Sequence, residues 1–144
     1  MSAPTQDKVA LEFTEIAERI RQVELPAVNV VYGVATGGIV PASLVAYRLG
    51  VPLVRLDINY RAPDNKPQRP APELLAAPDL PEPGTRVLLV DDVAVTGQTL
   101  DLAASLLTGC EVTTLALKGK RADIVLFPEV ASCVNWPWHA RPAP

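Results

Sequence analysis

At 144 residues the chain is the size of one domain and too short for two full-sized ones. Its composition, 49% hydrophobic and 20% charged, excludes a disordered chain and leaves enough apolar surface for a core. A net charge of −3 with no run of five Lys or Arg excludes an electrostatic footprint for duplex nucleic acid or an anionic membrane surface, so any bound anion has to be held by a local site.

Val9, Phe13, Ile16, Ile20 and Val23 recur at alternating steps of four and three, which predicts one face of a helix from about Asp7 to Glu24, stopped by Pro26. Val28 to Val34 is a β-branched run that ends at Ala35-Thr36-Gly37-Gly38, and Ile39, Leu44, Val45 and Leu49 then line a helix closed by Gly50. Pro52 to Ile58 reads as a second strand and Arg86 to Asp91 as a third. The third is apolar on both faces, which places it in the middle of a covered parallel sheet. A helix from about Gly97 to Leu107, a strand from Glu111 to Leu117 and a shorter one from Asp123 to Phe127 complete the order. Strands alternating with helices predict a single α/β domain with a mostly parallel sheet, whose ligands bind at the carboxyl ends of the strands.

Seven of the 15 prolines fall between Asn59 and Gly84, too many for a continuous helix; Glu73 to Ala77 has room for one helical turn. Residues 59–84 are, at this length, either a functional lid or a tolerated surface insertion, and length alone does not choose between them. Cys110 and Cys133 lack metal-ligand spacing and are expected as reduced, partly buried thiols. No stretch approaches the ~18 consecutive apolar residues of a membrane helix, and the acidic first residues are not those of a signal peptide, so a cytoplasmic location is expected.

The most informative stretch runs from Val87 to Leu100. A hydrophobic strand delivers two adjacent carboxylates, Asp91 and Asp92, and Thr96-Gly97-Gln98-Thr99 then opens a helix. Backbone N–H groups at a helix start, with a glycine permitting close approach, cradle a phosphate without any lysine. The carboxylates suit sugar hydroxyls, or a magnesium ion near them; taken alone, two acids at a strand end more often cap a helix or face solvent. A phosphorylated ribose satisfies both halves.

Four apolar residues, two acids, three variable positions and Thr-Gly-x-Thr resemble the phosphoribosyl-diphosphate (PRPP) motif of type I phosphoribosyltransferases. The resemblance is closest to the small bacterial and archaeal enzymes of the xanthine-guanine and hypoxanthine type. It implies that Asp91 and Asp92 hold the ribose hydroxyls and magnesium, and that Val95, Thr96, Gly97, Gln98 and Thr99 wrap the 5′-phosphate. Ala35, Thr36, Gly37 and Gly38 would form the diphosphate loop, with a non-proline cis peptide near Ala35-Thr36. Asn59-Tyr60 matches the start of the family's flexible catalytic loop, which favours a lid over residues 59–84 and makes Tyr60 a candidate beside the two acids. Lys118 would donate to an exocyclic oxygen of the base. Val134, Trp136 and Trp138 lie in a tail, residues 128–144, that resembles the family's hood over the base; core packing or a subunit contact is the alternative for the tryptophans, and which of them stacks stays open.

The resemblance thus implies a magnesium-dependent enzyme that joins a purine-like base to PRPP, giving a nucleoside 5′-monophosphate and diphosphate, and that works as a homodimer or homotetramer without nucleic acid or membrane. Two positions depart from the pattern. Val95 stands where 6-oxopurine enzymes carry an aspartate that takes up or binds the ring proton, and Thr36 stands where a Lys or Arg often touches the diphosphate. They motivate an alternative, a PRPP-binding sensor without turnover. The glycines do not space as GxGxxG, nor is there a GxxxxGK[ST] pattern, which argues against a dinucleotide fold and a P-loop. His139, Lys120 and Arg121 receive no role from the sequence.

Overall fold

Four consecutive residues of one strand organise the molecule: Val87, Leu88, Leu89 and Val90 are all fully buried, alternate ones facing opposite layers. A computed structural model describes residues 9–59, 73–74 and 79–139. In chain order these form β1 (Val9–Ala10), α1 (Phe13–Gln22), β2 (Val30–Ala35), α2 (Ile39–Leu49), β3 (Leu53–Asn59), β4 (Glu73–Leu74), β5 (Arg86–Ala94), α3 (Gln98–Leu106), β6 (Glu111–Gly119), β7 (Ile124–Val125) and β8 (Val134–Asn135).

Six of the strands make one sheet in the order β4-β3-β2-β5-β6-β7, parallel except for β4. Leu88 and Val90 face α1 and α2 together with Ile16, Ile20, Ala42 and Val45. Val87 and Leu89 face the layer that holds Leu100, Ala103 and Leu107 around α3. A central parallel strand buried on both sides cannot alternate apolar with polar, which is why its sequence does not. Helices on both faces of a mostly parallel sheet confirm the α/β class.

The first helix starts later than its periodicity predicts. Val9 and Ala10 pair in parallel with Val134 and Asn135, and the Val9 N–H donates to the Cys133 carbonyl at 2.9 Å, so they belong to a second, two-stranded sheet. Helix α1 begins after Glu12, whose N–H donates to the Glu15 carboxylate at 3.2 Å. It ends at Gln22, four residues short of Pro26, where Arg48 of α2 donates to the carbonyls of Ile20 and Val23.

Three other elements are corrected. The helical turn expected at Glu73 to Ala77 is absent where the chain is described: Glu73 and Leu74 pair antiparallel with Asn59 and Ile58, and residues 75–78 lie outside the described residues. The β5–β6 ladder continues through Val93↔Lys118 and Ala94↔Gly119, so both strands outrun their predicted ends at Asp91 and Leu117. The last predicted strand shortens to two residues, although Leu126 and Phe127 still donate backbone N–H bonds to Ala116 and Leu117. Helix α2 ends as expected on Gly50, in the left-handed region at φ 68°.

Cys110 is partly buried and Cys133 exposed; both are free thiols. No helix among the described residues is long and apolar enough to cross a membrane.

Candidate active site

Strands β2, β5 and β6 run side by side and in parallel, so the segments that follow their carboxyl ends gather at one edge of the sheet. The loop after β2 carries a cis peptide between Ala35 and Thr36, where the family resemblance placed one. A Cβ at either of the next two residues would collide with its neighbours, with backbone at Gly38 and with a side chain at Gly37. A Cβ on Gly38 would lie 2.6 Å from the Val34 carbonyl oxygen, 2.7 Å from that of Val90 and 2.9 Å from Asp91 Cα. A Cβ on Gly37 would lie 2.3 Å from Asp92 Oδ2. The glycine loop and the acidic pair are therefore in direct contact, which the sequence did not reveal.

Asp91 is 6% exposed and Asp92 partly exposed. The Asp92 N–H donates to Asp91 Oδ1 and the Val93 N–H to Asp92 Oδ1, each at 2.8 Å, which orients both carboxylates. Burial pushes the Asp91 carboxyl well above the usual carboxylate range, and the neighbouring Asp92 charge adds to this. A cation or a pair of hydroxyl donors at Asp91 would offset that cost. Among the described residues no cluster of three acids, histidines or cysteines forms a metal cage. Two adjacent carboxylates fit magnesium, a hard cation that commonly takes one or two protein carboxylates and completes its shell with substrate phosphates and water.

Beyond β5, Gly97 takes φ 83° at the start of α3, and the Gln98 N–H donates to Thr96 Oγ1 at 3.3 Å. Thr96 and Gly97 border a cavity of about 460 Å³, closed on its other side by Lys120, Arg121 and Asp123. Val95 points elsewhere. It is 61% exposed and lines a second cavity of about 320 Å³ with Lys118, Lys120, Pro128 and Val130. Lys118 is buried, with Nζ donating to the Ser132 carbonyl at 2.7 Å. Lys120, to which the sequence assigned no role, borders both cavities. Its N–H bonds the Ala94 carbonyl at 3.0 Å. That turn needs Gly119 at φ 117°, since a Cβ there would lie 2.3 Å from the same carbonyl oxygen.

The tryptophans sit differently from the expected hood. Trp136 is 5% exposed within the core layer of α1 and α2, and Trp138 packs against that layer. Their rings stack on each other with centroids 5.4 Å apart and planes 4° from parallel. Val134 is buried, and neither it nor the tryptophans line the cavity that holds Lys118. Tyr60 lies outside the described residues, as does most of the proline-rich segment.

One further residue enters the site indirectly. Arg19 of α1 donates to the Leu126 carbonyl at 2.5 Å and to both Glu129 oxygens at 2.6 and 3.3 Å, while its guanidinium covers the Phe127 ring at 4.3 Å. It ties α1 to the segment that carries Pro128 and Val130. Arg19→Ala is expected to loosen that segment, seen as faster hydrogen exchange at the Leu126 and Phe127 amides. No helical periodicity marks an arginine for such a role.

The family model described as the phosphoribosyl transferase domain matches residues 6–133. No curated protein matches the sequence. Among solved structures, the purine phosphoribosyltransferase of Pyrococcus horikoshii is similar at 25% identity and TM-score 0.74, covering 95% of this chain and 97% of the other. The orotate phosphoribosyltransferase of Aeropyrum pernix is 26% identical, with TM-score 0.54 over 86% of this chain and 69% of its own. The Helicobacter pylori xanthine-guanine-hypoxanthine phosphoribosyltransferase shares the fold, with TM-score 0.66 at 16% identity over 92% and 94% of the two chains. The family match spans all of the main sheet and both halves of the site, and on that ground the chain belongs to the type I phosphoribosyltransferases, enzymes of the glycosyltransferase kind.

Proposed function

We propose that the protein transfers the 5-phosphoribosyl group of PRPP to a purine-like nucleobase with magnesium, giving a nucleoside 5′-monophosphate and diphosphate. The observation that carries this reading is the contact of Asp92 with Gly37, which puts a hydroxyl-binding acid pair and a glycine loop on one wall beside a helix start opened by Gly97. The similarity to the Pyrococcus horikoshii purine enzyme supports the purine-like class.

In this reading Asp91 and Asp92 accept hydrogen bonds from the ribose 2′- and 3′-hydroxyls, and Val95 to Thr99 enclose the 5′-phosphate with backbone N–H groups. Ala35 to Gly38 border the diphosphate, with Thr36 contributing a hydroxyl in place of a cation. Lys118 donates to an oxygen of the base, and Tyr60 belongs to the segment that closes over the reacting atoms. Asp91 and Asp92 would hold magnesium, which when bound would supply charge neutralisation for the leaving diphosphate. The C1–O bond to diphosphate breaks with the electron pair leaving on oxygen, and a ring nitrogen of the base forms the new bond to C1. The chain's residues orient the sugar and exclude water rather than attack it.

Purified protein with PRPP, magnesium and a panel of purines and pyrimidines is expected to release diphosphate with at least one base. Asp92→Asn should reduce that release sharply. If every base fails, the transfer reading is wrong.

A further inference from the structure

Formation of the N–C1 bond requires the base to lose a ring proton, and among the described residues the cavity that holds Lys118 offers no group to receive it. Among the described residues its charged lining consists of Lys118 and Lys120, with no carboxylate or imidazole, and Val95, Pro128 and Val130 supply apolar walls. At about 320 Å³ it is at the small end of the roughly 300–1,000 Å³ typical of small-molecule sites. Both acids of β5 are elsewhere: Asp92 lies against Gly37, and Asp91 is buried beside Gly38. The two lysines are placed by the fold. Lys118 spends one of the three donors of an ammonium on the Ser132 carbonyl, and Lys120 follows a glycine turn that only φ 117° permits.

We propose that this subsite selects nucleobases that are already anionic at neutral pH, with Lys120 and Lys118 as the specificity-determining pair and Val95 as the reason no neutral base is activated. The inference rests on the transfer reading above. The ring anion brings its own electron pair to C1, the diphosphate leaves with the pair of the broken C1–O bond, and no proton changes hands. The buried Lys118 ammonium, joined by the exposed Lys120 ammonium at the mouth, attracts an anionic base over a neutral one, whereas a valine cannot accept the N–H of a neutral oxopurine. The charge has to sit on the ring, left by an acidic ring N–H, as in xanthine; a carboxylate substituent, as in orotate, leaves the ring proton still to be removed and does not meet the requirement.

The test measures diphosphate release at saturating PRPP and magnesium with xanthine, orotate, hypoxanthine, guanine and adenine. Xanthine is expected to exceed the three neutral bases in kcat/KM by about tenfold or more, and orotate leading instead overturns the inference. Lys120→Met should cut kcat/KM for the preferred base about tenfold through the KM for that base, with the KM for PRPP unchanged. Val95→Asp should gain turnover with hypoxanthine and guanine and lose it with the anion. Both positions are exposed, so the variants should fold as the parent does. Diphosphate release with neutral bases equal to or above that with xanthine overturns the inference and leaves the transfer reading standing. A Lys120→Met variant whose PRPP KM rises equally with every base also overturns it, by assigning Lys120 to the phosphate side. Absence of release with every base removes the transfer reading and this inference with it.

Discussion

Asp91→Asn should lower kcat/KM for PRPP by about 100-fold and, in the absence of ligand and metal, raise the melting temperature at neutral pH. The loss follows from replacing a charged acceptor of the ribose hydroxyls with a neutral one. The gain follows from burial. Asp91 is 6% exposed, and its folded carboxyl holds its proton well above the usual carboxylate range, first because it is desolvated and then because Asp92 is beside it. The folded state therefore binds a proton in a pH interval where the unfolded state has released it. Stability is fully present below the ordinary carboxylate pKa and is lost as pH rises through that interval toward the raised value. Asparagine carries no such loss, and its carbonyl oxygen still accepts the Asp92 N–H. Calorimetric melting of both proteins from acid to neutral pH should show a gap that widens as pH rises; a gap independent of pH would contradict the assignment. Asp92→Asn is the control. Asp92 is partly exposed, so that variant should lose activity and gain less stability than Asp91→Asn, through relief of the repulsion alone.

Gly37→Ala should lower turnover by about 100-fold, the scale expected when a reacting group is displaced by an ångström, with little change in melting temperature. The added methyl would sit 2.3 Å from Asp92 Oδ2, and the flexible end of a partly exposed side chain can move away. Gly38→Ala is the contrast one residue along. There the methyl meets backbone atoms of both β2 and β5, which cannot yield without parting the central strands. Destabilisation at or above the top of the roughly 1–3 kcal/mol range for overpacking is expected, visible as a lower denaturant midpoint. Equal melting temperatures for the two variants would show that the loop does not discriminate the two positions as described.

The fold was legible wherever burial on both faces removed polar alternation. Strand β5 announced itself by Val87 to Val90, and with it the parallel sheet. The acidic pair and the Thr96 to Thr99 turn were legible because a close backbone approach and paired carboxylates leave a local pattern. What escaped the sequence depends on contacts between distant segments. Val9 carries the correct helical spacing to join Phe13 and Ile16, yet its backbone is claimed by Val134. Glu73 and Leu74 have helix-forming composition, but the edge of β3 recruits them as a strand. Local propensity is silent on a partner more than ten residues away. The tryptophans show the same limit: rarity in the chain drew attention to them, while their place was set by a core that their own segment does not encode. The resemblance put Val95 both in the phosphate turn and at the position that meets the base, while its sharing of one cavity with Lys118 follows from the pairing of β5 with β6.

The pairing of β1 with β8 also bears on how the molecule forms. Residues 9–10 and 134–135 are nearly a full chain length apart, so this short ladder closes the largest loop in the protein. Two residue pairs cannot repay that closure entropy by themselves. The ladder has to wait until the main sheet has already brought its halves together, and it should be among the first structure to open. In hydrogen exchange, the Val9 amide is expected to exchange far sooner than those of Leu88 to Val90. A segment that closes late and opens early can come apart while the central strands β2 and β5 stay paired, so local opening there leaves the acid pair and the glycine loop in contact.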